Sequence, residues 1–267
     1  MTRHTCRVMG LWIKEPKMTQ AVPFDSRSGE AKSSARLKAE SHLAPIETVV
    51  GDIASGKMVA LVDDEDRENE GDLIIAAEAI TPEAVNFMIT QAKGLLCVPM
   101  PAKLATKLNL SPMVNSNQDG FGTAFTVSCD ASPRFGVTTG ICASDRASTI
   151  RLLASNGTAA DFHRPGHVFP LIAREGGVLT RIGHTEAGSD LAAMAGYAPV
   201  AAIIEIIDED GEMIRLPELL GWCEERGISL STIERLRAYR SAQVKAGVKI
   251  TQCPDGSPLP STTTVKE

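Results

Sequence analysis

The sequence predicts one α/β (α+β) domain in which helices flank a mixed β-sheet, and three observations predict it. Short apolar runs rich in Val and Ile, such as Met58-Val59-Ala60-Leu61-Val62 and Leu73-Ile74-Ile75-Ala76-Ala77, read as buried strands. Amphipathic stretches with helix start and stop signals stand between such runs. The two kinds alternate irregularly from Pro45 to about Tyr239, with no internal repeat and no interior linker.

Taken in order, residues 46–55 read as a short helix leading into the first strand. Thr81-Pro82-Glu83 supplies a cap, a proline at the first helical position and an acid in the first turn. Val85, Met88, Ile89 and Ala92 then mark one apolar face before Gly94. Residues 95–100 and 125–129 read as strands, and 144–154 as a helix closed by Asn156-Gly157. A helix over 185–195 stops at Gly196, and a strand over 200–207 meets the hairpin turn Asp208-Glu209-Asp210-Gly211. Residues 217–226 form a helix ending at Gly227, and Ser231-Thr232-Ile233-Glu234 is a capping box for the last one.

The folded unit is expected over 43–240. Residues 1–42, which begin with Arg3, Arg7 and Lys14 and no acid among the first fourteen, are expected to be a disordered extension. Residues 241–267, with Pro254, Gly256, Pro258 and Pro260, are expected to be a disordered tail. The 43% hydrophobic content of the 267 residues suffices for a sizeable core. A formal charge of −6 argues against nucleic-acid or membrane-surface binding, because both polyanions require a basic footprint. Six cysteines without a CxxC pair fit a reducing, cytoplasmic compartment, and no apolar stretch approaches the roughly 20 residues that cross a bilayer.

The stretch Asp63-Asp64-Glu65-Asp66-Arg67-Glu68-Asn69-Glu70-Gly71-Asp72 is wedged between two strand-like runs, so its carboxylates are tethered to a core and crowd one another. It matches a calcium-binding EF-hand loop at Asp66, Glu68, Glu70 and Gly71. That match fails at Ala77, where a glutamate is needed, and in its strand-like flanks. If residues 67–72 continue extended, Glu68, Glu70 and Asp72 share a face opposite Arg67 and Asn69, and they repel unless a cation or a proton relieves them.

Four further signals stand out. Arg181-Ile182-Gly183-His184-Thr185 delivers a helix start, with His184 or Thr185 as N-cap, where free amides, a hydroxyl and a guanidinium favour phosphate. His163 and His167 flank a Pro165-Gly166 turn that reads as a rigid loop, and Glu205 is an acid inside an apolar strand. The hydroxyl-rich segment 138–149 leads into a helix and carries Arg146.

Taken together, residues 63–72, the Thr138-Thr139-Gly140 and Asp145-Arg146-Ala147 segment, residues 164–171 with 176–181, Gly183-His184-Thr185-Glu186-Ala187 with Asp190-Leu191, and Glu205 closely resemble the 3,4-dihydroxy-2-butanone 4-phosphate synthases of riboflavin biosynthesis. The resemblance implies conversion of D-ribulose 5-phosphate to L-3,4-dihydroxy-2-butanone 4-phosphate and formate, with Mg²⁺ or Mn²⁺ and no organic cofactor. Residue by residue it implies Glu68 and His184 as metal ligands. Arg67, Glu68, Asp72, Arg181, Ile182, Gly183, His184, Thr185 and Glu205 become substrate-binding positions, and His167 and Glu205 are essential for catalysis. Glu70, Asp72, His167 and Glu205 are candidate acids and bases for proton transfers beside the ketone. It further implies a cytoplasmic homodimer with sites near the subunit interface. The chain departs from the family pattern at Ile182, Cys142 and Ser144. A cyclohydrolase fusion partner with a zinc-binding cysteine cluster is not expected in a sequence of this length.

Overall fold

Strands that are apolar at every position must bury both faces, and that requirement sets the architecture. A computed structural model describes residues 42–248. Here β1 (Val59–Val62) and β2 (Gly71–Ala76) are buried at every position. They join β3 (Cys97–Pro101), β4 (Cys129–Ala131), β5 (Phe162–Ala173), β6 (Ala201–Glu205) and β7 (Ser229–Thr232) in one sheet of order β4-β5-β3-β6-β2-β1-β7. The sheet is mixed, as expected. β1 runs parallel to β7 and β3 to β5, while β1–β2, β2–β6, β3–β6 and β4–β5 are antiparallel.

Among the described residues seven helices flank the sheet: α1 (Ile46–Ala54), α2 (Pro82–Phe87), α3 (Ala102–Lys107), α4 (Ala143–Ala154), α5 (His184–Met194), α6 (Leu216–Arg226) and α7 (Ile233–Lys245). The period-two alternation of each strand divides the core in two. Ala60, Val62, Leu73, Ile75, Ala202 and Ile204 pack with Val85 of α2, Met88 just after it, Ile150 and Leu153 of α4 and Leu219 of α6. Val59, Leu61, Ile74, Ala201 and Ile203 pack on the other side with Val49 and Ile53 of α1, Leu191 of α5 and Leu236 of α7. Each fully buried Leu or Ile stabilises the fold by about 1.5–3 kcal/mol, so both faces anchor the strand ends that carry the polar site.

Local signals explain most boundaries. Thr81 Oγ1 accepts from the Ala84 amide at 3.1 Å with Pro82 in the first turn. Gly227 ends α6 with φ of 64°. The 208–211 turn closes through Asp208 N–H to the Glu212 carbonyl at 2.8 Å, although its return arm is a single bridge, Ile207 to Met213. The four described cysteines, Cys97, Cys129, Cys142 and Cys223, are free. No helix among the described residues is long and apolar enough to cross a membrane.

Several expectations are corrected. The 162–170 segment, read as a loop around a rigid Pro-Gly turn, lies within the twelve-residue β5. Its prolines are tolerated because β4, its neighbour on one side, is only three residues long and shifts register between Cys129 and Asp130. Gly166 sits against that irregularity, where a Cβ would lie 2.2 Å from the Cys129 carbonyl carbon and 2.3 Å from the Asp130 nitrogen. The strand expected at 125–129 is displaced to β4, leaving Phe125 and Thr126 in isolated bridges. Short elements α3 and β7 were not anticipated. Thr232, not Ser231, caps α7 by accepting from the Arg235 amide at 3.0 Å, because Ser231 is still in β7 and donates to the Ala44 carbonyl at 2.9 Å. The helix runs to Lys245, five residues past the expected end of the domain at 240. The expected N-terminal extension lies outside the described residues apart from His42.

Gly166→Ala forces a methyl into the β4 backbone, and overpacking of that kind costs about 1–3 kcal/mol. Urea unfolding of the variant is expected to show a lower midpoint at unchanged m-value.

Candidate active site

The acidic run is organised by its first residue. Asp63 leaves β1 with a side chain that has no solvent exposure. Its Oδ1 accepts from the Glu70 amide at 2.8 Å, and its Oδ2 accepts from Arg67 Nη1 at 2.7 Å and from the Glu68 amide at 3.2 Å. The Asp63 amide donates to the Glu70 carbonyl at 3.1 Å, and Asn69 turns the chain with φ of 55°, a conformation Asn tolerates better than most residues. The run is therefore a folded loop, not an extension of β2, and the expected split between two faces is corrected. Arg67, Glu68, Glu70 and Asp72 all reach the same cavity, of about 190 Å³.

One end of that cavity is acidic. Asp72 of β2 stands in register opposite Glu205, the last residue of β6. Glu205 Oε2 accepts from the Leu95 amide at 2.7 Å, and Gly94 leaves room for it, since a Cβ there would lie 2.5 Å from that oxygen. Burial, reinforced by the Glu205, Glu70 and Glu68 carboxylates, pushes the Asp72 carboxyl well above the usual range. Burial, then the Glu68, Glu205 and Asp63 charges, pushes Glu70 up to about 7. Burial also raises Glu68, against the pull of Arg67, whose Nη1 lies 2.5 Å from Glu68 Oε2.

His184, the first residue of α5, reaches into the same end. Its Nε2 lies 3.2 Å from the Leu61 carbonyl, which can only accept, so Nε2 carries the proton and Nδ1 presents a lone pair. Burial brings its pKa down to about 4 and keeps the ring neutral. Nδ1 faces Asp72 Oδ1 at 3.6 Å and Glu68 Oε2 at 4.0 Å.

The other end is basic. Gly183 caps α5 without a side-chain cap bond, leaving first-turn amides with no intrahelical partner. The expected N-cap, His184 or Thr185, is displaced by one or two residues because the helix already includes both. Two guanidinium groups converge on Gly183, where a Cβ would lie 2.5 Å from Arg181 Nη1 and 3.1 Å from Arg67 Nη2. Arg181 is steadied by Glu186 Oε2 at 2.6 Å, and Thr185 lines the cavity beside it. Free amides at a helix start together with two guanidinium groups form a site for a phosphate.

Two sequence-singled residues stand apart. Ile182 is half-exposed and lines a neighbouring cavity with Leu43, Leu216 and Arg235, which shares Arg67 with the acid-lined one. His167 lies outside the acid-lined cavity. Leu171, four residues further along β5, does line it, so His167 is roughly 13 Å away along the strand. Its Nδ1 is 2.7 Å from Asp130 Oδ2 and its amide donates to Asp130 Oδ1 at 2.8 Å. Beside this pair lies Gly140 (φ 90°), a position where a Cβ would be 2.6 Å from His167 Nδ1. Asp145 ties the 138–140 backbone by accepting from the Thr138 and Gly140 amides at 3.1 and 2.9 Å. Asp63, Thr123 and Cys97 belong to the site region without having been singled out. Asp63 alone carried a signal, its place directly after an apolar strand.

The residues present fit a divalent cation. Asp63, Glu68 and His184 each offer one ligand atom within 4.8 Å of the others. Asp63 already accepts three hydrogen bonds, whereas Asp72 Oδ1 is buried with no partner and faces the His184 lone pair. Carboxylate oxygens with one imidazole suit Mg²⁺ or Mn²⁺.

A family model described as 3,4-dihydroxy-2-butanone 4-phosphate synthase matches residues 47–239. The chain belongs to this family. A 3,4-dihydroxy-2-butanone 4-phosphate synthase from Neisseria meningitidis is 52% identical over 202 residues, which are 75% of this chain and 55% of the relative. One from Pseudomonas aeruginosa is 50% identical over 218 residues, 81% of this chain and 59% of the relative. The chain thus spans less than two thirds of the length of these relatives. A crystal structure of a 3,4-dihydroxy-2-butanone 4-phosphate synthase in complex with two magnesium ions is 41% identical with a TM-score of 0.73. The match covers 78% of this chain and all of that one. A two-domain synthase from A. baumannii is 47% identical with a TM-score of 0.71, covering 74% of this chain and 58% of that one.

Titration calorimetry of the metal-free chain with Mn²⁺ is expected to show saturable binding. Glu68→Gln and His184→Asn should each weaken it by at least about tenfold, as loss of even an outer-shell partner does.

Proposed function

We propose that the chain is a 3,4-dihydroxy-2-butanone 4-phosphate synthase, converting D-ribulose 5-phosphate to L-3,4-dihydroxy-2-butanone 4-phosphate and formate in riboflavin biosynthesis. The observation that carries the reading is the two-ended cavity. A cluster of carboxylates around a neutral imidazole adjoins a helix start flanked by Arg67 and Arg181, which suits a divalent cation at one end and a sugar phosphate at the other.

In this reading Arg67, Arg181 and the amides after Gly183 hold the phosphate, and Thr185 adds a hydroxyl. Ile182 contributes backbone only, since its side chain lines another cavity. Glu68 and His184 hold Mg²⁺ or Mn²⁺, which as a Lewis acid stabilises negative charge on the substrate oxygens. Asp72 and Glu205 bind the sugar hydroxyls, and Glu205 also serves with His167 in proton transfer. Glu70, which lines the same cavity among these carboxylates, serves as an acid–base group.

His167 requires a second chain. Half-exposed, oriented by Asp130 and roughly 13 Å from the cavity of its own chain, it supplies its proton-transfer group to the cavity of a partner in a homodimer. The Asp130 carboxylate fixes the ring, through the His167 Nδ1 contact and the His167 amide. The enzyme works in the cytoplasm, consistent with free cysteines at all four described positions.

Formate release from ribulose 5-phosphate is expected with Mg²⁺ or Mn²⁺ and is abolished by EDTA; binding without formate would sink the proposal. His167→Ala and Glu205→Gln are each expected to lower kcat by about 10²–10⁴-fold. Co-refolded His167→Ala and Glu68→Gln chains should regain roughly a quarter of wild-type activity, because half the dimers are hybrids with one intact site. If His167 served its own chain, the mixture would stay inactive.

A further inference from the structure

The loop over 117–123 is built with unusual care for an exposed segment. Asn117 Nδ2 donates to the Thr123 carbonyl at 2.9 Å, the Asp119 amide donates to Asn117 Oδ1 at 2.9 Å, and the Thr123 amide donates to Asp119 Oδ2 at 2.7 Å. The turn so formed lies on both guanidinium groups of the basic end. The Phe121 ring is half-exposed, yet the Arg67 guanidinium carbon stands 5.2 Å from its centroid. Arg181 Nε donates to the Phe121 carbonyl at 3.1 Å, and Arg181 Nη2 donates to Thr123 Oγ1 at 3.1 Å.

We propose that Phe121 and Thr123 are positioning residues that hold Arg67 and Arg181 in the planes from which they grip the substrate's phosphate; this rests on the phosphate role assigned to the two arginines above. An aromatic ring engages the face of a guanidinium and leaves its in-plane N–H groups for an oxyanion. That matters for Arg67, whose Nη1 and Nη2 are now shared with Glu68. Phe121 and Asp63 also engage Arg67, so its orientation does not rest on Glu68 alone. Thr123 does the corresponding work on Arg181. Its Oγ accepts from Nη2, which leaves its own hydroxyl proton for a ligand in the cavity it lines.

The test uses the full chain, with inorganic phosphate as probe in calorimetry and ribulose 5-phosphate in kinetics. Phe121→Leu keeps apolar bulk without a π face, and Phe121→Tyr keeps the π face. The Leu variant is expected to raise both the phosphate Kd and KM by roughly three- to tenfold with kcat within about twofold, and the Tyr variant to remain near wild type. Thr123→Val should follow the Leu variant and Thr123→Ser should restore binding. Leu as good as Phe, or a loss confined to kcat, overturns the proposal. Phosphate binding by a wild-type chain that releases no formate removes the synthase reading and leaves the phosphate arm decisive. Failure of the wild type to bind phosphate removes both.

Discussion

The site depends on one buried carboxylate. Asp63 sits at the end of a strand buried on both faces, and three donors converge on its two oxygens: the amides of Glu68 and Glu70 and the Arg67 guanidinium. A carboxylate closed off from water is costly unless it is hydrogen-bonded, and here the loop supplies three bonds. The same bonds that stabilise Asp63 decide where the following side chains point. Glu68, Glu70 and Asp72 are thereby directed into one cavity despite their mutual repulsion. Burial first, and that repulsion second, raise the affinity of Glu70 and Asp72 for protons.

The sheet supplies the rest of the geometry. Register places Asp72 directly across from Glu205, so two acids from strands more than a hundred residues apart in sequence become neighbours at one sheet end. Helix α5 packs its Leu191 and Ala187 on that same sheet, which fixes its first turn over the strand ends and sets His184 against the Leu61 carbonyl. No residue of the acidic end is held by a flexible contact alone. Each is tied to a strand terminus, a helix start or a backbone amide, which is the preorganisation a charged site needs.

Much of this was legible in the sequence where local chemistry and burial agree. β1, β2 and β6 announce themselves because both faces are covered, and Thr81-Pro82 announces α2 because a capped first turn has its own signature. The 183–187 helix start and the acidic loop were legible for the same reason. β5 was not: Pro165, Gly166 and Pro170 read as loop residues, and only the short, shifted β4 beside them makes a strand possible. Asp63 carried only its place directly after an apolar strand; the burial that sets it apart from Asp64 and Asp66 is a tertiary property. The separation of His167 from the cavity was likewise beyond reach, since periodicity assigns a face but not a distance along it.

The pairing of Arg67 with Glu68 gives the two ends of the cavity a thermodynamic connection. In the metal-free chain each residue neutralises the other, with Glu68 bridging both terminal nitrogens of Arg67. On the proposed reading Glu68 is wanted by a cation and Arg67 by a phosphate, so either ligand breaks the pair that the other would also have to break. The first to bind bears that cost and the second is relieved of it. Such coupling is reciprocal: whatever factor the cation lends to phosphate binding, phosphate lends to the cation. Adjacency in sequence makes this coupling hard to avoid, because residues 67 and 68 share one peptide bond and one tether to Asp63.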